Sequence, residues 1–267
     1  MARVTISLLG SLEIKLDDQP VTRSVTGKGR ALLVYLAVEA GRPHRRETLC
    51  GLLWPEWPER SARANLRNLL SNLRTAIGDR DATPPYLKIT RETIQFNRAS
   101  DCWVDVAEFK ALAEGDQPGQ WEEAATLYSG PFLRGFSIGD SAAFEEWLRL
   151  VREQMQRQAL AVLHRLAEHH EARCAYERAQ GHAWRQLELE PAHEEAHRQL
   201  MRLLALEGQR SAALAQYESC RRALAKELGV EPEPETTRLY RRIRSQSQGS
   251  TGAPVAHNLP TPCLLYT

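Results

Sequence analysis

The segment Glu59–Ile77 constrains the fold of this chain more than any other stretch of its sequence. Its apolar residues recur at helical spacing and form one stripe, which is typical of a helix that buries one face and exposes the other. The residues before and after it are therefore expected to supply the core on which this helix packs. The stripe consists of Leu66, Leu70, Leu73 and Ile77, with Leu69 beside them.

The exposed face of this predicted helix lacks acidic side chains, because no Asp or Glu lies between Arg60 and Ile77. In a DNA major groove, arginine can bind guanine, asparagine can bind adenine, and serine or threonine can bind a base or a phosphate. The face therefore favours a DNA-reading helix, although this segment alone also allows a solvated helix that simply lacks acids. The predicted DNA-binding residues on it are Arg60, Arg63, Arg67, Asn68, Ser71, Asn72 and Arg74.

The chain has 267 residues, of which 42% are hydrophobic and 26% are charged, so it is long enough for two globular domains. Its net charge of +1 hides an asymmetry. Residues 1–100 contain 16 basic and 10 acidic side chains, whereas residues 101–235 contain 15 basic and 24 acidic ones. The basic part suggests a polyanionic partner, and the acidic part suggests a protein partner.

The sequence predicts a cytoplasmic protein. It contains no apolar run long enough to cross a bilayer, and its N-terminus lacks the long apolar region and cleavage site of a secretion signal. The five cysteines are odd in number, far apart and never in a C-x-x-C pair. We therefore expect reduced thiols, and neither a disulfide framework nor a cysteine zinc site.

The first hundred residues predict short strands, three helices and then a hairpin. This order is that of a winged helix-turn-helix with an N-terminal sheet, the OmpR-like variant, in which the third helix reads the DNA and the hairpin is the wing. The predicted strands are Val4–Leu8, Leu12–Leu16 and a third near Gln19–Arg23; the helices are Gly29–Ala40, Arg45–Leu53 and Glu59–Ile77; the hairpin joins Tyr86–Ile89 to Thr93–Phe96.

Three further arginines have a predicted role in this fold. Arg45 and Arg46 lie at the start of the second predicted helix, where they could bind phosphates. Arg91 lies at the tip of the predicted wing, where a guanidinium could enter the minor groove.

The second part of the chain predicts an all-α domain. Asp105 could cap a helix that runs to about Glu114, and further helices are expected at Gln120–Tyr128 and Ser141–Glu168. The adjacent His169 and His170 are interpreted as surface residues of the last of these helices.

A repeat appears in the remainder of this helical part. Ala179 and Pro191 occupy the small-residue and proline places of one tetratricopeptide-like unit, at roughly 160–193. Ala213 follows Ala179 by 34 residues, with Gly208 and Tyr217 at the glycine and aromatic places of the next unit. Two repeats are fewer than a free-standing solenoid needs, so the preceding helices must cover the exposed end.

Four stretches carry a resemblance to a known family. They place the chain, from about Val4 to about Arg244, among sequences similar to the AfsR/SARP family of bacterial transcriptional activators. The resemblance implies a mostly α fold with a small β part: an OmpR-like winged helix-turn-helix at 1–100, then a bacterial transcriptional activation domain at 101–245. The stretches are GRALLVYLAVEAGRPHRRETLCGLLWPE (29–56), ANLRNLLSNLRTAIG (64–78), DCWVDVAEFKAL (101–112) and GPFLRGF with FEEWLRLVREQ (within 130–154).

The same resemblance implies a function. The first domain is expected to bind direct repeats in double-stranded promoter DNA, with a homodimer forming on the DNA. The second is expected to help engage RNA polymerase or a second protomer. No enzymatic activity and no cofactor are implied.

Residues 246–267 form a polar linker or tail rich in Gly, Pro and Ser. In larger family members such a linker leads to a nucleotide-binding domain, which is expected to be absent here.

Two alternatives from other classes stay open. His193, Glu194 and His197 fit the H-E-x-x-H pattern of a zinc hydrolase, in which two histidines bind the metal and the glutamate activates water. Against this, Pro191 places the pattern at the first turn of a repeat helix with polar flanks. The second alternative is a scaffold whose N-terminal domain binds protein and not DNA.

Overall fold

The computed structural model describes residues 3–245, which form two compact units. The first unit comprises residues 3–115 and 123–158, and the second comprises residues 116–122 and 159–245. The functional boundary between residues 100 and 101 stays a prediction. The predicted linker or tail at residues 246–267 lies outside the described residues.

A small antiparallel sheet opens the first unit. Strand β1 (Val4–Ser7) pairs with β2 (Glu13–Leu16), which pairs with β3 (Gln19–Pro20). Ile6 and Ile14 lie opposite one another in this register and both are fully buried. The inward face of the sheet therefore belongs to the core, as the alternating sequence pattern predicts.

Three helices follow the sheet. Helix α1 (Gly27–Val38) is almost wholly buried, and strand β4 (His44–Arg45) separates it from α2 (Arg46–Leu53). Helix α3 (Glu59–Ala76) then packs against both α1 and α2. This three-helix arrangement is the one predicted for a winged helix-turn-helix.

The wing is the hairpin of β5 (Leu87–Ile89) and β6 (Thr93–Phe96). Strand β4 joins it on the β6 side, because Arg45 pairs with Thr93 in an antiparallel register. Helix α2 therefore begins one residue later than predicted, since the backbone of Arg45 is held in this sheet. Strand β7 (Cys102–Val104) returns to the first sheet and pairs in parallel with β1.

Helix α4 (Asp105–Glu114) begins differently from the prediction. Asp105 is the first helical residue and Val104 is the N-cap, so the aspartate does not cap the helix. Its carboxylate instead accepts hydrogen bonds from the backbone N–H groups of Leu8 and Leu9, at 2.6 and 2.8 Å. Burial raises the pKa of Asp105, against the opposing effect of the backbone donors. The side chain thus fastens the end of β1 to α4.

Helices α5 (Pro118–Leu127) and α6 (Ala142–Ala172) follow. Residues 142–158 of α6 belong to the first unit, where Trp147 contacts the end of α1. The Trp147 indole donates to a Glu39 carboxylate oxygen at 3.1 Å, and its ring lies 5.0 Å from that of Tyr35. A segment that the family resemblance assigns to the activation domain is therefore part of the compact winged-helix unit.

The remaining helices are α7 (Tyr176–Leu189), α8 (Glu194–Leu206), α9 (Arg210–Glu227) and α10 (Pro234–Ser245). Each of α7, α8 and α9 packs on the next, and Ala179 and Ala213 are fully buried where the helices approach closely. The ring of Tyr217 stacks on Tyr240 of α10 at 4.2 Å, so α10 covers the end of the repeats. The predicted tetratricopeptide-like fold is confirmed. No helix within residues 3–245 is long and apolar enough to cross a membrane.

Candidate nucleic-acid interface

Helix α3 buries its apolar stripe and exposes its polar face. Leu66, Leu70 and Leu73 are at most 4% exposed, whereas Leu69 at the border is half-buried. Arg74 is also half-buried, unlike the other polar residues of this helix that are predicted to bind DNA. The exposed ones are Arg60, Arg63, Arg67, Asn68, Ser71 and Asn72.

Arginines from three elements converge on one cleft of about 430 Å³ in the first unit. One comes from the start of α2, three from one flank of α3, and one from the turn of the wing. We call this the arginine cleft. A cleft lined by several guanidinium groups could bind a polyanion, because arginine binds phosphate with charge-assisted, often paired hydrogen bonds. It is lined by Arg46, Arg60, Arg63, Leu66, Arg67 and Arg91.

The wing turn is attached to the start of α2. The Arg46 guanidinium donates from Nε and Nη2 to the carbonyl oxygen of Thr90, at 3.2 and 2.9 Å. The Thr90 hydroxyl accepts in turn from the backbone N–H groups of Glu92 and Thr93. This turn is therefore ordered by its own side chains, and it holds Arg91 at the edge of the arginine cleft.

Arg63 forms ion pairs with two glutamates that lie outside the stretch between Arg60 and Ile77. Its Nη2 lies 2.8 Å from Glu47 of α2 and 2.6 Å from Glu59, one turn earlier on α3. Neither glutamate lies between Arg60 and Ile77, so the lack of acids in that stretch gave no sign of these ion pairs. Because its guanidinium is already paired, Arg63 has to exchange these partners before it can bind a phosphate.

Arg74 forms a structural ion pair with Asp79 and does not line the arginine cleft. Its Nε donates to the buried carboxylate of Asp79 at 2.6 Å, and the other oxygen of Asp79 accepts from the backbone N–H of Leu87. The pair fastens the end of α3 to the first strand of the wing. Helical spacing placed Arg74 on the exposed face with the other predicted DNA-binding residues, but the turn after α3 supplies it with a structural partner.

The remaining predicted DNA contacts lie apart from the cleft. Arg45 is exposed on β4, and Asn68 and Asn72 are exposed on α3. The Ser71 hydroxyl accepts from Nη2 of Arg80 at 3.1 Å. Arg80 was not among the predicted residues, although its basic side chain directly after the helix was a visible signal.

The geometry of the two histidines argues against the zinc-hydrolase alternative. His193 is the N-cap of α8, and its Nδ1 accepts from the N–H of Ala196 at 3.2 Å. His197 is buried, and its Nε2 donates to the carbonyl oxygen of Pro191 while its Nδ1 accepts from the Gln216 amide. Both ring nitrogens of His197 are therefore engaged in holding the repeat together.

His170 is buried, contrary to its interpretation as a surface residue. It is 8% exposed, its Nε2 lies 3.0 Å from a carboxylate oxygen of Glu122, and its ring stacks on that of His182. The sequence places these residues on three different helices, so no local pattern signalled that they meet.

The fold defines a class: a winged-helix protein that continues into tetratricopeptide-like repeats. Residues 104–244 match the model of the family described as the bacterial transcriptional activator domain. This match covers more than half of the chain, so the chain belongs to that family, and its relatives place it among the AfsR/SARP regulators.

Three comparisons illustrate the similarity. The transcriptional regulatory protein EmbR of Mycobacterium tuberculosis is 30% identical over 91% of this chain, which spans 64% of the length of EmbR. The regulatory protein AfsR of Streptomyces griseus is 28% identical over 80% of this chain and 22% of its own length. The solved structure of Mycobacterium tuberculosis EmbR in complex with a low affinity phosphopeptide has a TM-score of 0.71 and 28% identity, over 92% of this chain and 66% of that one.

Proposed function

We propose that this protein is a transcriptional activator that binds double-stranded promoter DNA through its winged helix, with α3 in the major groove. The observation that carries the proposal is the arginine cleft, which adjoins the exposed face of α3. That face carries amides and hydroxyls for base edges, and the cleft carries cations for the backbone. The names of EmbR and AfsR as regulators support the same conclusion.

The predicted DNA contacts divide into two roles. Arg67 and Asn68 lie in the middle of α3 and contact base edges, where arginine and asparagine discriminate best. Arg45 and Arg46 lie off the reading helix and contact phosphates, which position the protein without specifying sequence. Arg91 of the wing enters the neighbouring minor groove.

The helical part, residues 101–245, makes the protein contacts of activation. Its excess of acidic over basic side chains disfavours a second DNA surface, and tetratricopeptide-like repeats bind proteins. RNA polymerase or a second protomer on adjacent promoter repeats is the partner. The protein acts without a catalytic site or a cofactor.

The experiment that tests the proposal starts from the purified full chain and a library of random duplexes. Selection followed by footprinting should yield a direct repeat, with protection over the major groove of each half. The affinity should fall with salt, with a slope of about −0.9 for each phosphate contact. A chain that selects no sequence and binds all duplexes equally weakly would instead support the scaffold alternative.

A further inference from the structure

A cluster of two histidines and one glutamate in the second unit has no part in the proposed DNA binding. Glu122 lies on α5, His170 lies near the end of α6, and His182 lies on α7. One potential ligand atom from each residue lies within 4.8 Å of the others. Three separate helices thus bring metal-ligating groups to one place.

The distances in this cluster suit a small cation. The Glu122 oxygen lies 3.0 Å from Nε2 of His170 and 3.7 Å from Nε2 of His182. A tetrahedral zinc ion, with bonds of about 2.0–2.1 Å, separates neighbouring ligand atoms by about 3.3 Å. The two imidazole rings are nearly parallel, at 7°, with centroids 5.3 Å apart. Small side-chain movements are therefore enough to place all three atoms around one ion.

We propose that Glu122, His170 and His182 form a binding site for a divalent transition-metal ion, and that Zn²⁺ is the ion that these ligands fit best. Two imidazoles and one carboxylate favour Zn²⁺ over Mg²⁺ or Ca²⁺, which prefer oxygen ligands alone. Three protein ligands leave a fourth position for water or an external group. The bound ion ties α5, α6 and α7 together at the start of the repeat stack.

The surroundings of the cluster allow such an ion to enter and to be neutralised. The His170 and His182 side chains are 10% and 18% exposed, whereas Glu122 is 48% exposed and opens the site to solvent. Of the three proposed ligands, the Glu122 carboxylate supplies a negative charge against the positive charge of the ion.

The test uses the full chain without an affinity tag, stripped of metal with a chelator and then titrated with Co²⁺ or Zn²⁺. Co²⁺ should give visible absorption bands of a low-coordinate site, and Zn²⁺ should bind with one-to-one stoichiometry and raise the melting temperature. Glu122→Gln and His182→Gln should each weaken Zn²⁺ binding by at least about tenfold and abolish the rise in melting temperature.

Two histidine variants provide matched controls. His169→Gln changes the neighbour of His170, and His193→Gln changes the H-E-x-x-H pattern, so both should bind Zn²⁺ as the wild type does. Glu122 is exposed, so Glu122→Gln retains the fold even if a histidine variant does not, and its melting curve without metal verifies this. Absence of one-to-one binding, wild-type affinity in Glu122→Gln, or loss of binding in His193→Gln would overturn the proposal.

Discussion

The Arg46 guanidinium binds the carbonyl oxygen of Thr90 through two N–H groups, and this pair joins the start of α2 to the wing. Arg46 also lines the arginine cleft beside Arg91. One residue therefore both orders the wing and adds positive charge to the cleft that is proposed to bind DNA. These two contributions can be separated, because lysine retains the charge but not the forked geometry of arginine.

Replacing Arg46 by Ala should weaken binding to specific and scrambled duplexes alike and reduce the salt slope by about one unit. Arg46→Lys should restore the salt slope but not the full affinity, because the ammonium cannot reproduce both bonds to Thr90. The measurement is a titration against both duplexes at several salt concentrations. Equal salt slopes in Arg46→Ala and the wild type would show that Arg46 serves only the wing.

Arg74 should behave as a structural residue. Arg74→Ala leaves the buried carboxylate of Asp79 without its ionic partner and should lower the free energy of unfolding by about 1–3 kcal/mol, because a buried charge loses its compensation. Arg60→Ala on the same flank is exposed and should change stability by less than about 0.5 kcal/mol. Chemical denaturation compares the two. Equal stability of both variants would contradict the role assigned to the Arg74–Asp79 pair.

The buried His197 should make stability depend on pH. Burial lowers its pKa below the ordinary value of 6.5, so the unfolded chain binds a proton there more readily than the folded one. The stability contribution is complete above pH 6.5 and is lost as the pH falls through the folded pKa, with a slope of at most about 1.4 kcal/mol per pH unit.

Between neutral and mildly acidic pH, the free energy of unfolding of His197→Gln should therefore fall less than that of the wild type. This holds even if the variant is less stable at every pH. A residual slope is expected, because burial also lowers the pKa of His182. The measurement is denaturant unfolding across that range. Identical pH dependence in the wild type and His197→Gln would show that His197 is not held neutral by the fold.

Much of the first unit could be predicted because its signals are local. The 3.6-residue period located α3 and its exposed face, and the alternating residues around Arg91 located the wing. The same period assigned Arg60 and Arg67 correctly to an exposed flank.

What the sequence could not provide were partners that depend on tertiary structure. Arg74 meets Asp79 only because of the turn after α3, and Asp105 binds the backbone of Leu8, which lies 97 residues earlier in the chain. His170 meets Glu122 and His182 only because three helices pack together. Helical phase assigns a residue to a face, but it does not say what that face meets.

The fold also predicts how isolated fragments behave. A fragment of residues 1–100 lacks β7, which pairs with β1, and Asp105, which binds the end of β1. It should therefore melt at a lower temperature than a fragment of residues 1–158, although both should bind DNA. Neither should activate transcription in a reconstituted assay, because the repeats are missing. Full activation by residues 1–158 would contradict the role proposed for the repeats.

The central claim is that α3 reads bases, and the most direct test is the discrimination of Arg67→Ala and Asn68→Ala between specific and scrambled duplexes. Each variant should lose about 1–3 kcal/mol at the true site and relax the preference at one or two base pairs, because base contacts specify sequence. Arg45→Ala is the control and should weaken both duplexes alike. Wild-type affinity and wild-type discrimination in both Arg67→Ala and Asn68→Ala would contradict the assignment of α3 as the reading helix.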